Sequence, residues 1–190
     1  MKKAISLLVF ILMNTAAFCQ WTLDKNHSKF NFTVLHHGIT EVDGNFKKFE
    51  GKITAAQDDL SDAVFEITIE AASINTDLEM RDASLRGEDM FNVVKFPQIT
   101  FKSTSWKKLS GNKYEVAGDI TIKGVTKPIK LDVTMNGPVP SPDQRSKAMQ
   151  IGIKAIGTIK RSDFGVGTGL PTALVSDEIQ IRATGEFNKE

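Results

Sequence analysis

Cysteine is almost missing from this chain of 190 residues: the only one is Cys19. A disulfide within one chain is therefore excluded, and so is a zinc site built on cysteine pairs. Histidine is scarce as well, at three residues, His27, His36 and His37. No His-x-His pair and no Gly-x-Ser-x-Gly elbow occurs, so neither a metal site nor a serine nucleophile has a sequence signature. Neither sign of charge is in excess, with 24 Lys and Arg against 23 Asp and Glu. Basic residues do not cluster or interleave with aromatics, which argues against a nucleic-acid partner. There is no internal repeat and no linker to a second domain. Stability must come from burial in one domain.

One long apolar run does occur, from Ala4 to Phe18, directly after Met1-Lys2-Lys3. A charged start followed by an apolar stretch of this length reads as a secretory signal peptide, too short and too closely flanked for a membrane span. Ala17 and Cys19 occupy the −3 and −1 positions if cleavage falls before Gln20, giving a signal at 1–19 and a domain at 20–190. The alternative is a lipid anchor on Cys19, which the bulky Phe18 before it disfavours. Removing Lys2 and Lys3 takes the net charge to about −1 and leaves roughly 170 residues, enough for a sizeable core.

Strict alternation of apolar and polar residues fills most of what remains. It is clearest from Tyr114 to Gly137, where Tyr114, Val116, Gly118, Ile120 and Ile122 share one phase and Ile129, Leu131, Val133 and Met135 another. Period two places each set on one face of a strand. The interruption at Lys123–Pro128 supplies a Gly and a Pro, so the stretch reads as an antiparallel hairpin with one dry face. The same pattern gives a first strand at Lys29–His36 and a second at Thr40–Thr54, which changes phase between Phe46 and Phe49 as across a β-bulge. Further strands follow around Phe65–Ala71, Ile99–Ser103, Met149–Ile159 and Ile179–Phe187. Trp21–His27 reads as a lead-in.

Ser73–Asn92 breaks the period. Thr76 and Glu79 fit a capping box and Gly87 a helix C′ residue, so a short helical insert is expected between the third and fourth strands. The fold class is all-β: about eight antiparallel strands closed into a barrel, wide enough to be filled by side chains or to hold one slender ligand. Gly44, Gly51, Gly118, Gly157 and Gly185 fall on inward phases. They leave room for a ligand, or they relieve crowding in a tightly coiled barrel; pattern alone does not separate the two.

Three groups could be enlisted for chemistry. His36 and His37 are adjacent on a strand and should point to opposite faces, which suits a partly buried, hydrogen-bonded His36 better than a shared metal. Arg81-Asp82 and Arg161-Ser-Asp163 read as exposed or structural ion pairs. Gly165-x-Gly-x-Gly169 matches a phosphate loop only in its glycine count. A hydrolase using His36, and a packed structural or interaction module with no lumen, stay open as alternatives.

Several segments together resemble the YceI-like family. They are Phe32-x-Val34-x-His36-x-Gly38 with Val42-x-Gly44-x-Phe46, then Arg81-Asp82 with Leu85-Arg86, and Phe96-Pro97-x-Ile99-Thr100-Phe101-x-Ser103. Gly118-Asp-Ile-Thr-Ile-Lys-Gly-Val-Thr-Lys-Pro128 and Arg161-Ser-Asp-Phe-Gly165 complete the set. The resemblance implies a lipocalin-like barrel, exported to the periplasm or secreted, that binds an isoprenoid such as a quinone or prenyl phosphate, or a similar amphiphilic lipid, without catalysis. No metal or cofactor other than the bound lipid is expected, and a homodimer stays open. The tail would lie against Phe30, Phe32, Val34, His36, Phe46, Phe65, Ile67, Ile69, Phe101, Val116, Gly118, Ile120, Leu131, Val133, Ile151, Ile153, Ile179 and Ile181. Ser84 stands where the family often has a histidine, so a head-group role for that position does not carry over.

Overall fold

The computed structural model describes residues 19–57, 60–142 and 148–189. The expected signal peptide, residues 1–18 with the side chain of Cys19, lies outside the described residues. In chain order the elements are β1 (Cys19–His36), β2 (Thr40–Phe46), β3 (Phe49–Ala55), β4 (Val64–Glu70), β5 (Ile74–Asn75), α1 (Glu79–Arg86), β6 (Gln98–Ser110), β7 (Lys113–Ile122), β8 (Val125–Pro140), β9 (Met149–Lys160) and β10 (Val175–Lys189).

The hairpin at 114–137 forms as β7 and β8, with Tyr114, Val116, Gly118, Ile120 and Ile122 all buried. Its turn is tighter than the interruption in the pattern suggests. Ile122 already pairs with Val125, and Pro128 lies within the strand opposite Asp119. Only Lys123 and Gly124 turn, with φ of 50° and 75°. A two-residue turn with both φ positive matches the twist of its flanking strands. The Lys123 side chain reaches back over the mouth, where its Nζ donates to the Gly165 carbonyl at 2.8 Å. The ring of Phe96 covers Gly124, where a Cβ would lie 2.6 Å from its Cε1.

All pairings are antiparallel, and β10 closes onto β1, so eight staves form a closed barrel. Two staves are broken. β2 and β3 form one, interrupted at Lys47-Lys48; β4 and β5 form its neighbour, interrupted at 71–73. The breaks lie side by side and bond to each other: Lys47 N–H donates to the Ser73 carbonyl (3.1 Å) and Glu70 N–H to the Lys48 carbonyl (3.0 Å). The phase change between Phe46 and Phe49 is thus a shared kink that re-aims both strands. β1 begins ten residues before Lys29, and its register with β10 shifts between Asp24 and Lys29. There Ser28 Oγ donates to the Asp24 carbonyl and Asn26 N–H to Asp24 Oδ1. This polar bulge hides the continuity of Trp21 and Leu23 with Phe30 from any period-two reading.

The helical insert is smaller than the expected 73–92 segment. β5 follows β4, and α1, the one α-helix among the described residues, comes after it. The capping box does not form. Leu78 is the N-cap and Gly87 is extended, with φ of −66°. Thr76 turns instead to the buried Asp82, which accepts from Thr76 N–H (2.9 Å) and Oγ1 (2.5 Å). The end of the barrel opposite α1 is solid. Trp21, Ile53, Ile151 and Phe187 are buried there, and Phe65 stacks on Trp106 at 4.8 Å and meets Phe187 edge-on at 5.9 Å.

Candidate functional site

Above that floor the inward faces do not meet. They enclose a cavity of about 1050 Å³. Small-molecule sites usually measure about 300–1,000 Å³, so this one is at the top of the range. Phe30, Phe32, Val34 and His36 line it from β1, Phe46 from β2, and Phe65, Ile67 and Ile69 from β4. Phe101, Val116, Ile120, Leu131, Val133, Ile153, Ile179 and Ile181 complete the expected part of the wall.

Gly118 and Ile151 do not line the cavity. Ile151 is buried in the floor at 1% exposure. A Cβ on Gly118 would lie 2.5 Å from the Phe101 ring and 2.6 Å from the Lys102 carbonyl oxygen. The other inward glycines are covered in the same way. Phe32 lies over Gly44, Ile67 over Gly51, Leu131 over Gly157, and Leu23 and Ser28 over Gly185. These glycines therefore relieve crowding between neighbouring staves. The open volume lies further in, where the covering side chains end.

Other wall residues were legible but unclaimed. Ile99, Ile129 and Ile159 are in phase with their strands and line the cavity. The mouth did not follow from the alternation, because its residues lie on α1 and on loops rather than on strands. Thr76, Arg81, Ser84, Leu85, Met90 and Phe91 come from the insert; Val166, Gly167, Leu170 and Leu174 come from the glycine-rich loop. Gly167 N–H donates to the Asp89 carbonyl (2.9 Å), which joins the two segments, and His37 N–H donates to that of Leu174 (2.9 Å), which joins the loop to the end of β1.

His36 is at this mouth, but exposed rather than partly buried. Among the described residues no side chain hydrogen-bonds to it. His37 leaves the strand with a φ of 52°, so the two rings meet edge-on at 4.2 Å instead of pointing to opposite faces. Neither expected ion pair exists. Arg161 is buried and donates to the carbonyls of Ser176, Val166, Gly167, Leu170 and Val175, which ties down the glycine-rich loop. Arg81 binds Thr76 rather than Asp82: Nε donates to Thr76 Oγ1 (2.7 Å) and Nη2 to the Thr76 carbonyl (2.6 Å).

The clearly displaced titrations lie outside the cavity. Hydrogen bonds from Lys52 and Lys102 hold Glu66 below the ordinary carboxylate range, and those from the Ser162 hydroxyl and N–H do the same for Asp177. Asp24 is lowered and His27 raised by the hydrogen bond between them. None of these four lines the cavity.

A closed antiparallel barrel with an apolar, ligand-sized lumen open at one end defines a lipocalin-like protein. The YceI-like domain model matches residues 21–187, and the chain belongs to the YceI-like family. Protein YceI of Salmonella arizonae is 35% identical over 177 residues, covering 92% of this chain and 91% of that protein. The crystal structure of Burkholderia cenocepacia BcnA superimposes with a TM-score of 0.76 at 30% identity, covering 86% of this chain and 98% of that one. A polyisoprenoid binding domain from Saccharophagus degradans shares the fold, with a TM-score of 0.65 at 16% identity, over 90% of this chain and 98% of that one. No helix among the described residues is long and apolar enough to cross a membrane.

Proposed function

We propose that the protein carries a long amphiphilic lipid, an isoprenoid, inside the barrel and performs no chemistry on it. The observation that carries this reading is the cavity of about 1050 Å³, walled by inward phenylalanine, isoleucine, leucine and valine side chains and blind at the Trp21 end. Each buried methylene is worth about 0.8 kcal/mol. A chain of some tens of carbons would nominally exceed the ~20 kcal/mol ceiling of non-covalent binding, so affinity is limited by ordering the tail and by the lipid's own aggregation in water. The related fold described as a polyisoprenoid binding domain supports the choice of ligand class.

The carrier acts after export, as the domain 20–190 released from the signal at 1–19. The start of the family match at Trp21 supports that boundary. Protein isolated from its own host should begin at Gln20 or Trp21, and retention of Met1 or lipidation of Cys19 would contradict it. Native mass spectrometry of the same material tests the binding claim. An adduct removed by organic extraction and identified as an isoprenoid is expected; a bare protein that takes up no prenyl lipid would overturn it.

A further inference from the structure

Several polar groups gather at or near the mouth, and most of them are already engaged. Arg161 is spent on five backbone carbonyls. On α1, Arg86 pairs with Glu79 (2.9 Å) and with two carbonyls, and Ser84 donates its hydroxyl to the Met80 carbonyl (3.0 Å). Lys123 donates to the carbonyls of Gly165 and Asp89. Of the titratable side chains that line the cavity, His36, Asp89 and Arg182 are exposed to water and Arg161 is fully engaged, which leaves Arg81. It is half-buried and lines the cavity, yet Nη1 has no acceptor and the guanidinium has no carboxylate within ion-pair distance among the described residues. Asp82 next to it is committed to Thr76, and the Asp89 side chain at the mouth is exposed.

A guanidinium half-withdrawn from water beside an apolar cavity is costly unless its remaining N–H groups find acceptors. Its planar fork is shaped for anionic oxygen. We propose that Arg81 receives an anionic oxygen head group, a carboxylate or a phosphate, on the lipid that occupies the cavity. This rests on the lipid-carrier reading above. The head then lies at the α1 mouth and the tail runs inward toward Phe65 and Trp106. Thr76 positions Arg81 by accepting from its Nε and Nη2, and so leaves Nη1 for the ligand.

The test is competition on delipidated protein loaded with the neutral fluorophore N-phenyl-1-naphthylamine. The competitors are farnesyl phosphate, oleate and, as the neutral-headed control, farnesol. One charge-assisted hydrogen bond predicts that farnesyl phosphate or oleate outcompetes farnesol by about tenfold or more. Whichever acid wins identifies the head as phosphate or carboxylate. Arg81→Gln should abolish that preference while farnesol still binds as before, and Arg81→Lys should retain part of it. Equal binding of all three ligands by the wild type, or a preference that survives in Arg81→Gln, overturns the proposal. So does a variant that loses farnesol and the acids alike, because that is a purely structural role. Should Arg81→Gln not fold, the wild-type preference must shrink from low to high salt, and an unchanged preference counts against it. A wild type that binds neither fluorophore nor farnesol overturns the lipid-carrier reading itself, and this proposal falls with it.

Discussion

At the polar bulge of β1, His27 Nδ1 lies 2.9 Å from Asp24 Oδ2, with Glu186 Oε2 at 3.7 Å. The hydrogen bond to Asp24 raises the His27 pKa above its ordinary 6.5, and the bond from His27 lowers that of Asp24 below 3.8. A raised histidine stabilises the fold fully below its unfolded pKa and ceases to as pH rises through its folded one. A lowered carboxylate stabilises above its unfolded pKa and ceases to as pH falls through its folded one. The pair therefore contributes in full between about pH 3.8 and 6.5, and the exposure of His27 keeps the effect small. An NMR titration should place His27 above 6.5, and Asp24→Asn should bring it down; an unmoved value would contradict the pairing. Gly118 makes a second residue-scale prediction. Gly118→Phe should cost about 1–3 kcal/mol or more in chemical denaturation, because its Cβ would press on Phe101 and on backbone. Ala155, which lines the cavity from β9, is the better place for a plug. Ala155→Phe should keep the fold and exclude lipid, whereas a variant that melts with lipid still bound would contradict this placement. Alternation identified Gly118 as inward correctly. It could not show that the neighbouring stave's Phe101 fills the gap, since cross-strand packing depends on register.

Among the elements, strands were legible wherever one face is dry, because burial enforces period two along β4, β7 and β9. The kink at Lys47-Lys48 was visible too, as an odd spacing between two phenylalanines. The segment around α1 was not, because its order comes from a side-chain network without a period. Thr76 is the centre of that network: it donates to Asp82, which is only 3% exposed, and accepts from Arg81. Thr76→Val keeps the shape and removes the hydroxyl. It should destabilise the protein by about 1–3 kcal/mol, the cost of an under-satisfied buried carboxylate. Hydrogen exchange should show the loss concentrated in 74–92. A variant as stable as the wild type would mean that Asp82 finds another donor.

For the whole molecule, closure of β10 onto β1 removes the edges of the sheet, and the kinked staves leave the barrel solid at the Trp21 end and hollow toward α1. Sequence pattern conveyed the barrel and most of its wall. It did not convey the mouth, where α1 and loops of no fixed period bring Arg81 and the glycine-rich segment together. The central claim is that a lipid tail occupies this hollow. Its most direct test is photolabelling with a prenyl analogue bearing a diazirine near the tail end, followed by peptide mapping. The account predicts labels on Phe65, Val116 and Ile153, with none on the exposed Ile39 and Val94, and a loss of label in Ala155→Phe. Labels confined to exposed apolar residues such as Ile39 and Val94, or an unchanged pattern in the plugged variant, would contradict it.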